Sequence, residues 1–311
     1  MNLSDLKVAI VLLNYRSKKE TVECLESLEK IKNEITAIIV DNSPTESRDF
    51  IKEKIKEIKK FNVELIKSDV NTGFSGGNNI GIHHALANGY DYVLILNNDT
   101  VVDENFLSNL LLTAEKDKKV GAVVPKIYFA KGHEFHKKRY KKEELGKVIW
   151  YAGGIIDWKN VIGLHRGVDE VDKGQYDKTL ETEYATGACM LLKKEAIEDV
   201  GMFDEDFFLY YEDSDLSMRM KKKGYKILFE PSSFIWHKNA SSTGGSGSTI
   251  QDYYTTRNRM LFGMRYAPIR SKIALIRESI HLFVKGRPFQ KRGIKDYYLK
   301  EFGKGIFDEK N

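Results

Sequence analysis

The sequence predicts an α/β fold, a Rossmann-like, mostly parallel central sheet flanked by helices and followed by a helical tail. Short β-branched runs alternate with segments of helical period along the first part of the chain. The runs are apolar throughout rather than alternating, as in strands buried on both faces. Three strand ends then carry polar residues, Asn14-Tyr15, Asp41-Asn42 and Asn97-Asn98-Asp99. That is the edge at which open parallel sheets bind ligands.

The elements follow in order. Residues 8–13 form a β-branched strand, and residues 18–31 place Val22, Leu25 and Leu28 on one helical face. Strands are expected at 37–40, 63–66, 92–96 and 121–124, with helices at 48–60, 79–88 and 104–116. Between them, residues 71–79 read as a Gly/Asn loop whose following helix start offers free N–H groups to a phosphate. The capping preference of Asn gives the same stretch an ordinary turn reading.

Past residue 126 the pattern loosens. Residues 131–147 are dense in charge and His and read as an exposed excursion. Residues 185–192 form a small-residue turn entering a strand, and further strands are expected at 226–229 and 234–236. Residues 241–249 are a Ser/Gly/Thr loop, expected to be flexible. Two basic helices, 252–266 and 269–285, follow.

A net charge of +5 from 50 basic and 45 acidic residues argues against a dedicated nucleic-acid binder. Cys24 and Cys189 stand far apart without metal-ligand spacing, which fits a reduced, cytoplasmic compartment. The run at 8–13 is too short for a signal peptide or a membrane span.

The densest chemistry lies at residues 207–215, where Glu212, Asp213 and Asp215 follow a run of aromatics. Close carboxylates raise one another's proton affinity, and a carboxylate beside an aromatic wall suits deprotonation of a sugar hydroxyl. Acids at a helix N-terminus are the plainer reading, and both can hold. Asp99 with neighbouring amides can hold a hard cation bound chiefly by phosphate and water, or form an Asx turn. His237, after Trp236, matters to that cation only if the fold returns it to Asp99.

Taken in order, these segments resemble the inverting family 2 glycosyltransferases, in their rhamnosyltransferase-like branch. The similarity runs over about residues 7–266. It implies a GT-A fold over 1–248, with a nucleotide-binding half to about 125, an acceptor half over 126–248, and a basic helical tail at 249–311. Under the resemblance, Asn14 and Tyr15 line the nucleotide pocket and Asp41 bonds the base. Gly76, Asn78 and Asn98 lie near the ribose and diphosphate. Asp99 and His237 hold Mg²⁺ or Mn²⁺, with Asn97 standing where the family's metal motif has its first acid. Gly187, Ala188 and Trp236 face the acceptor, and Asp213 is the base. Spacing alone cannot separate Asp213 from its neighbour Glu212, which stays the rival base.

The implied reaction is transfer of a sugar from a UDP- or dTDP-linked donor to a glycan or polyprenyl-linked acceptor, in cell-surface polysaccharide synthesis. Arg257 and Arg259 are placed to close over phosphate, or else lie on a solvated helix face. A sugar-phosphate nucleotidyltransferase would need a Gly-rich loop after the first strand, and residues 14–20 contain no Gly. A non-catalytic nucleotide-sugar-binding protein is the other alternative. The basic tail could rest on the inner face of a membrane, pack on the catalytic domain, or form a homodimer. Residues 131–182 are expected to help choose the acceptor.

Overall fold

The computed structural model describes residues 3–43, 46–68, 70–239 and 248–305. The first elements alternate as expected: β1 (Val8–Asn14), α1 (Lys18–Leu28), β2 (Thr36–Asp41), α2 (Glu46–Ile55), β3 (Asn62–Lys67), α3 (Gly73–Ala87) and β4 (Tyr92–Asn97). Then come β5 (Thr100–Val102), α4 (Phe106–Ala114), β6 (Val120–Phe129), β7 (Ile149–Tyr151), β8 (Gly154–Asp157), β9 (Ile162–His165) and β10 (Leu180–Glu181). After β11 (Cys189–Lys193), α5 (Lys194–Val200), α6 (Glu212–Lys222) and β12 (Lys226–His237), the chain ends in α7 (Thr249–Tyr266), α8 (Ile269–Lys285) and α9 (Pro288–Leu299).

One sheet runs β10-β12-β6-β11-β4-β1-β2-β3, with β5 added to β12 and β7 to β6. The pairs β1–β2, β2–β3, β1–β4 and β6–β12 are parallel. β11 is antiparallel to both β4 and β6, between which it lies. The register sets Asn14 opposite Asp41 and Leu13 opposite Asn97, so three polar strand ends share one edge. β1 and β2 are buried along nearly their whole length, the reason their sequences do not alternate.

Several expectations change. Residues 73–79 are helix rather than loop, because α3 begins at Gly73. Its glycines serve packing: a Cβ on Gly77 would come within 2.4 Å of Leu13, and one on Gly81 within 2.4 Å of Val11. Close helix–strand approach here overrides the low helix propensity of Gly. The strands expected at 226–229 and 234–236 are one strand, β12, with a register shift between Glu230 and Phe234.

The excursion at 131–147 is tied down through Glu134, which is buried and accepts hydrogen bonds from the N–H groups of Gly132 and Gly146. The Ser/Gly/Thr loop lies outside the described residues except for its end, where Ser248 Oγ caps α7 by accepting from Gln251 N at 3.2 Å. The unforeseen helix α9 packs on α7 so closely that a Cβ on Gly293 would meet the Tyr253 carbonyl at 2.8 Å. Among the described residues no helix is long and apolar enough to cross a membrane.

Candidate active site

The sheet edge carries a connected polar layer. Asn14 Nδ2 donates to Asp41 Oδ1 at 2.8 Å and to Ser43 Oγ at 3.0 Å, and Asn14 Oδ1 accepts from Thr21 Oγ1 at 3.0 Å. Asn98 Nδ2 donates to Thr21 Oγ1 at 2.8 Å, which draws the β4 end into the same layer. Asn14 and Asp41 are wholly buried beneath this edge, while Tyr15 and Asn98 are partly exposed on it. Gly76 lies in the first turns of α3, and Asn78 turns its amide back to the Phe74 carbonyl at 2.9 Å. The start of α3 is not open to a phosphate, because the N–H groups of Phe74 and Ser75 both donate to the Phe208 carbonyl.

Asp99 and His237 meet although the chain separates them widely. β12 pairs with β5 so that His237 lies opposite Thr100. Asp99 Oδ1 is 3.0 Å from His237 Nε2, and Asn97 Nδ2 is 3.5 Å from the same nitrogen. Two ligands held about 2.1 Å from one ion at right angles stand about 3.0 Å apart. The pair therefore fits a divalent cation, which oxygen and imidazole donors suit. Among the described residues no group of three acidic, His or Cys side chains is placed to hold a metal, so the remaining ligands would be phosphate and water.

The 207–215 segment is built under strain. Phe208, Tyr210 and Tyr211 have φ of 60°, 70° and 74°, the left-handed region that large side chains avoid. Asn258 on α7 holds this turn: its Nδ2 lies 2.7, 2.8 and 2.9 Å from the carbonyls of Phe207, Leu209 and Tyr210. Asp215 is wholly buried and structural, bound to Arg219, Arg265 and Tyr266 at 2.8, 3.1 and 2.7 Å.

The structure distinguishes the two adjacent carboxylates. Asp213 lines a cavity of about 430 Å³ together with Tyr184, Tyr210, Tyr211, His165 and Arg259. Its Oδ2 accepts from Gly187 N at 3.1 Å and its Oδ1 from Ser214 N at 2.6 Å. Burial raises its proton affinity, and these donors oppose the rise. Glu212 is buried away from the cavity with Oε2 unpartnered. Burial first, then the charges of Asp213 and Asp215, pushes its carboxyl well above the usual range.

Gly187 and Ala188 join the two centres. Gly187 N holds Asp213, and the Ala188 carbonyl accepts from Asn97 N at 2.9 Å at the start of the 97–99 turn. Trp236 is elsewhere. It lies beside Tyr128 and Phe234, donates to the Gly146 carbonyl at 3.0 Å, and lines a second cavity that Asp213 does not enter. Strand alternation explains this, since neighbours Trp236 and His237 point to opposite faces.

Arg257 is likewise not poised over a ligand. It is wholly buried, donating to the carbonyls of Gly303 and Asp206 at 2.8 and 3.0 Å beside the Tyr253 and Tyr254 rings. Arg259 reaches the cavity but is held there by Glu278 at 2.8 and 2.9 Å. Sequence reasoning missed Asn258, and it missed His165, whose imidazole lines the cavity with its pKa pushed down to about 4 by burial. Nothing in their local sequence marks either, because both act through contacts distant in the chain.

The sequence profile described as glycosyl transferase family 2 matches residues 8–201, and that of glycosyl transferase family group 2 matches residues 174–294. The poly-β-1,6-N-acetyl-D-glucosamine synthase of Staphylococcus aureus (strain COL) is 31% identical over 252 residues, 79% of this chain and 53% of that protein. The low-salt glycan biosynthesis hexosyltransferase Agl10 of Haloferax volcanii is 25% identical over 264 residues, 83% of this chain and 75% of that protein. The chain thus spans about half the length of the first of these relatives. Among solved structures, the mannosyltransferase PcManGT from Pyrobaculum calidifontis, in complex with GDP-Man and Mn²⁺, superposes with a TM-score of 0.56 at 14% identity. That match covers 94% of this chain and 74% of the other, and it shows the shared GT-A fold. The profile match over more than half of its length, on a sheet of this topology, makes the chain a member of glycosyl transferase family 2.

Proposed function

We propose that the chain transfers a hexosyl or deoxyhexosyl unit from a nucleoside-diphosphate sugar to a hydroxyl of a glycan or lipid-linked acceptor, with inversion at the anomeric carbon. The observation that carries this reading is the 187–188 link, which ties the cavity carboxylate to the Asp99–His237 pair. A base and an anion-neutralising centre so coupled are what a single displacement needs on opposite sides of the reacting carbon.

Asp213 accepts the proton of the acceptor hydroxyl as that oxygen attacks. The cavity's Tyr184, Tyr210 and Tyr211 provide apolar faces and hydroxyls against which a sugar ring can lie. Tyr15 and Asn98 face the nucleotide above the Asn14–Asp41 floor. A divalent cation held by Asp99 and His237 would supply Lewis-acid stabilisation of the departing diphosphate. The relatives' names, a poly-N-acetylglucosamine synthase and a hexosyltransferase, support a hexose or N-acetylhexosamine donor within this class.

The test is donor binding and hydrolysis across UDP-, dTDP- and GDP-sugars, with Mn²⁺ or Mg²⁺, on the wild type and Asp213→Asn. Release of one nucleoside diphosphate, lost in Asp213→Asn while donor binding persists, is the expected result. Donor binding without turnover, even with acceptors present, would instead make this a nucleotide-sugar-binding protein.

A further inference from the structure

The outer face of α8 has no partner within the chain. Ile269, Ile273, Ile276, Ile280, Phe283 and Val284 are exposed by 40–73%. At about 100° per residue these six fall within an arc of about 100°. Arg270 and Arg277 border the arc on one side and Lys272 on the other, while Lys285 stands further round, in the last turn of the helix. The helix's one acid, Glu278, is turned inward and engaged by Arg259. Six large apolar side chains in one exposed stripe exceed the scattered exposure ordinary on a soluble surface.

We propose that α8 lies in the plane of an anionic membrane surface, its apolar stripe in the lipid–water boundary and its basic borders among the headgroups. Charge decides the occupant. A second copy docked face to face about a two-fold axis would bring basic borders together, while the one carboxylate of α8, Glu278, is engaged by Arg259 on the face away from the stripe. Anionic headgroups complement that pattern, at about 1 kcal/mol per cation near the surface. α8 lies on the bilayer rather than across it.

The opposite face of the same helix, through Leu275, Glu278, Ser279 and Leu282, walls the Asp213 cavity. Docking therefore holds that cavity about one helix diameter, roughly 10 Å, from the membrane surface, where a lipid-borne acceptor presents its head. The docking rests on the helix face alone, and the delivery of such an acceptor rests on the transferase reading.

Flotation of the full chain with phosphatidylcholine vesicles, with and without phosphatidylglycerol, tests this. The wild type should float with the anionic vesicles and be released by salt. Ile280→Asp with Phe283→Asp should lower the partition coefficient at least about tenfold, and Arg270→Gln with Arg277→Gln and Lys285→Gln on the order of a hundredfold. These exposed positions lie outside the cavity, so circular dichroism and donor hydrolysis should be unchanged. No flotation at low salt overturns the proposal, as does flotation that survives the Asp pair. A lipid-free dimer in sedimentation that the Asp pair dissociates also overturns it, in favour of a second copy. Flotation without donor hydrolysis upholds the docking and removes the transferase.

Discussion

Replacing Asn258 tests whether the left-handed turn before Asp213 is held from outside. One side-chain amide, wholly buried, lies within 2.9 Å of three carbonyls with two N–H bonds to share among them. Asn258→Ala takes this donor from all three carbonyls, of which that of Phe207 keeps Arg257 Nη2 at 3.2 Å, at about 1–3 kcal/mol for each bond not replaced. The left-handed φ of Phe208, Tyr210 and Tyr211 stores roughly 1–2 kcal/mol per residue. Strain and clamp are thus of similar size, and removing the clamp lets the turn relax.

The expected outcome is a stability loss on the order of 3 kcal/mol, with part of the orphaning offset by relaxation. A displacement of Asp213 by about 1 Å should lower kcat about a hundredfold. Donor KM should hold if the donor lies at the strand ends as proposed, because Asn258 does not contact them. Asn258→Asp sharpens the test, since it keeps the shape but sets a carboxylate against three carbonyls. Urea unfolding and steady-state transfer kinetics measure both effects. The Asp variant must be worse than the Ala variant in both, and an Asp variant with wild-type kcat would refute the reasoning.

If Asp213 is the base proposed above, it must be deprotonated to act, and because burial raises its proton affinity the acid limb of the kcat–pH profile should lie above the ordinary carboxylate range of about 4. A limb at or below that value speaks against the assignment. Glu212 also has its folded pKa raised, so the stability it lends is complete below its unfolded value and is lost as the pH rises through the folded one. Glu212→Gln should therefore melt higher than the wild type at neutral pH and lose that advantage in acid, as scanning calorimetry at both would show. His237→Ala should raise the Mn²⁺ concentration needed for half-maximal transfer by about 10–100-fold, whereas Asp213→Asn should leave manganese binding unchanged by titration calorimetry. Arg257→Met should cost about 3 kcal/mol in chemical unfolding with donor KM unaltered. A raised KM at full stability would restore the phosphate-closing role.

The parallel core was legible because buried strands are written as unbroken β-branched runs: residues 8–13, 37–40 and 92–96 each reappear as a strand. The Gly/Asn stretch misled because glycine marks both ligand loops and close helix–strand contacts, and only the neighbours Leu13 and Val11 tell these apart. Asp99 and His237 were legible as residues but not as a pair, since β12 had to return His237 beside β5. Asp213 and Glu212 are identical to any spacing argument. They differ because the left-handed Tyr211 at the start of α6 leaves one facing the cavity and the other buried. Arg257 and Trp236 were misplaced for a shared reason: a functional side chain's direction depends on what covers the element's other face.

Consider last the position of β11 in the sheet. β4 gains its second neighbour only from residues 189–193, while every other strand of its parallel group comes from residues before it. On the ribosome, β4 therefore waits as an open apolar edge for roughly ten seconds while the intervening stretch is made. An exposed edge of that kind is a template for wrong pairing. The nascent chain is thus most vulnerable to aggregation in that interval, and a chaperone that shields β4 should raise yield more than one acting after release.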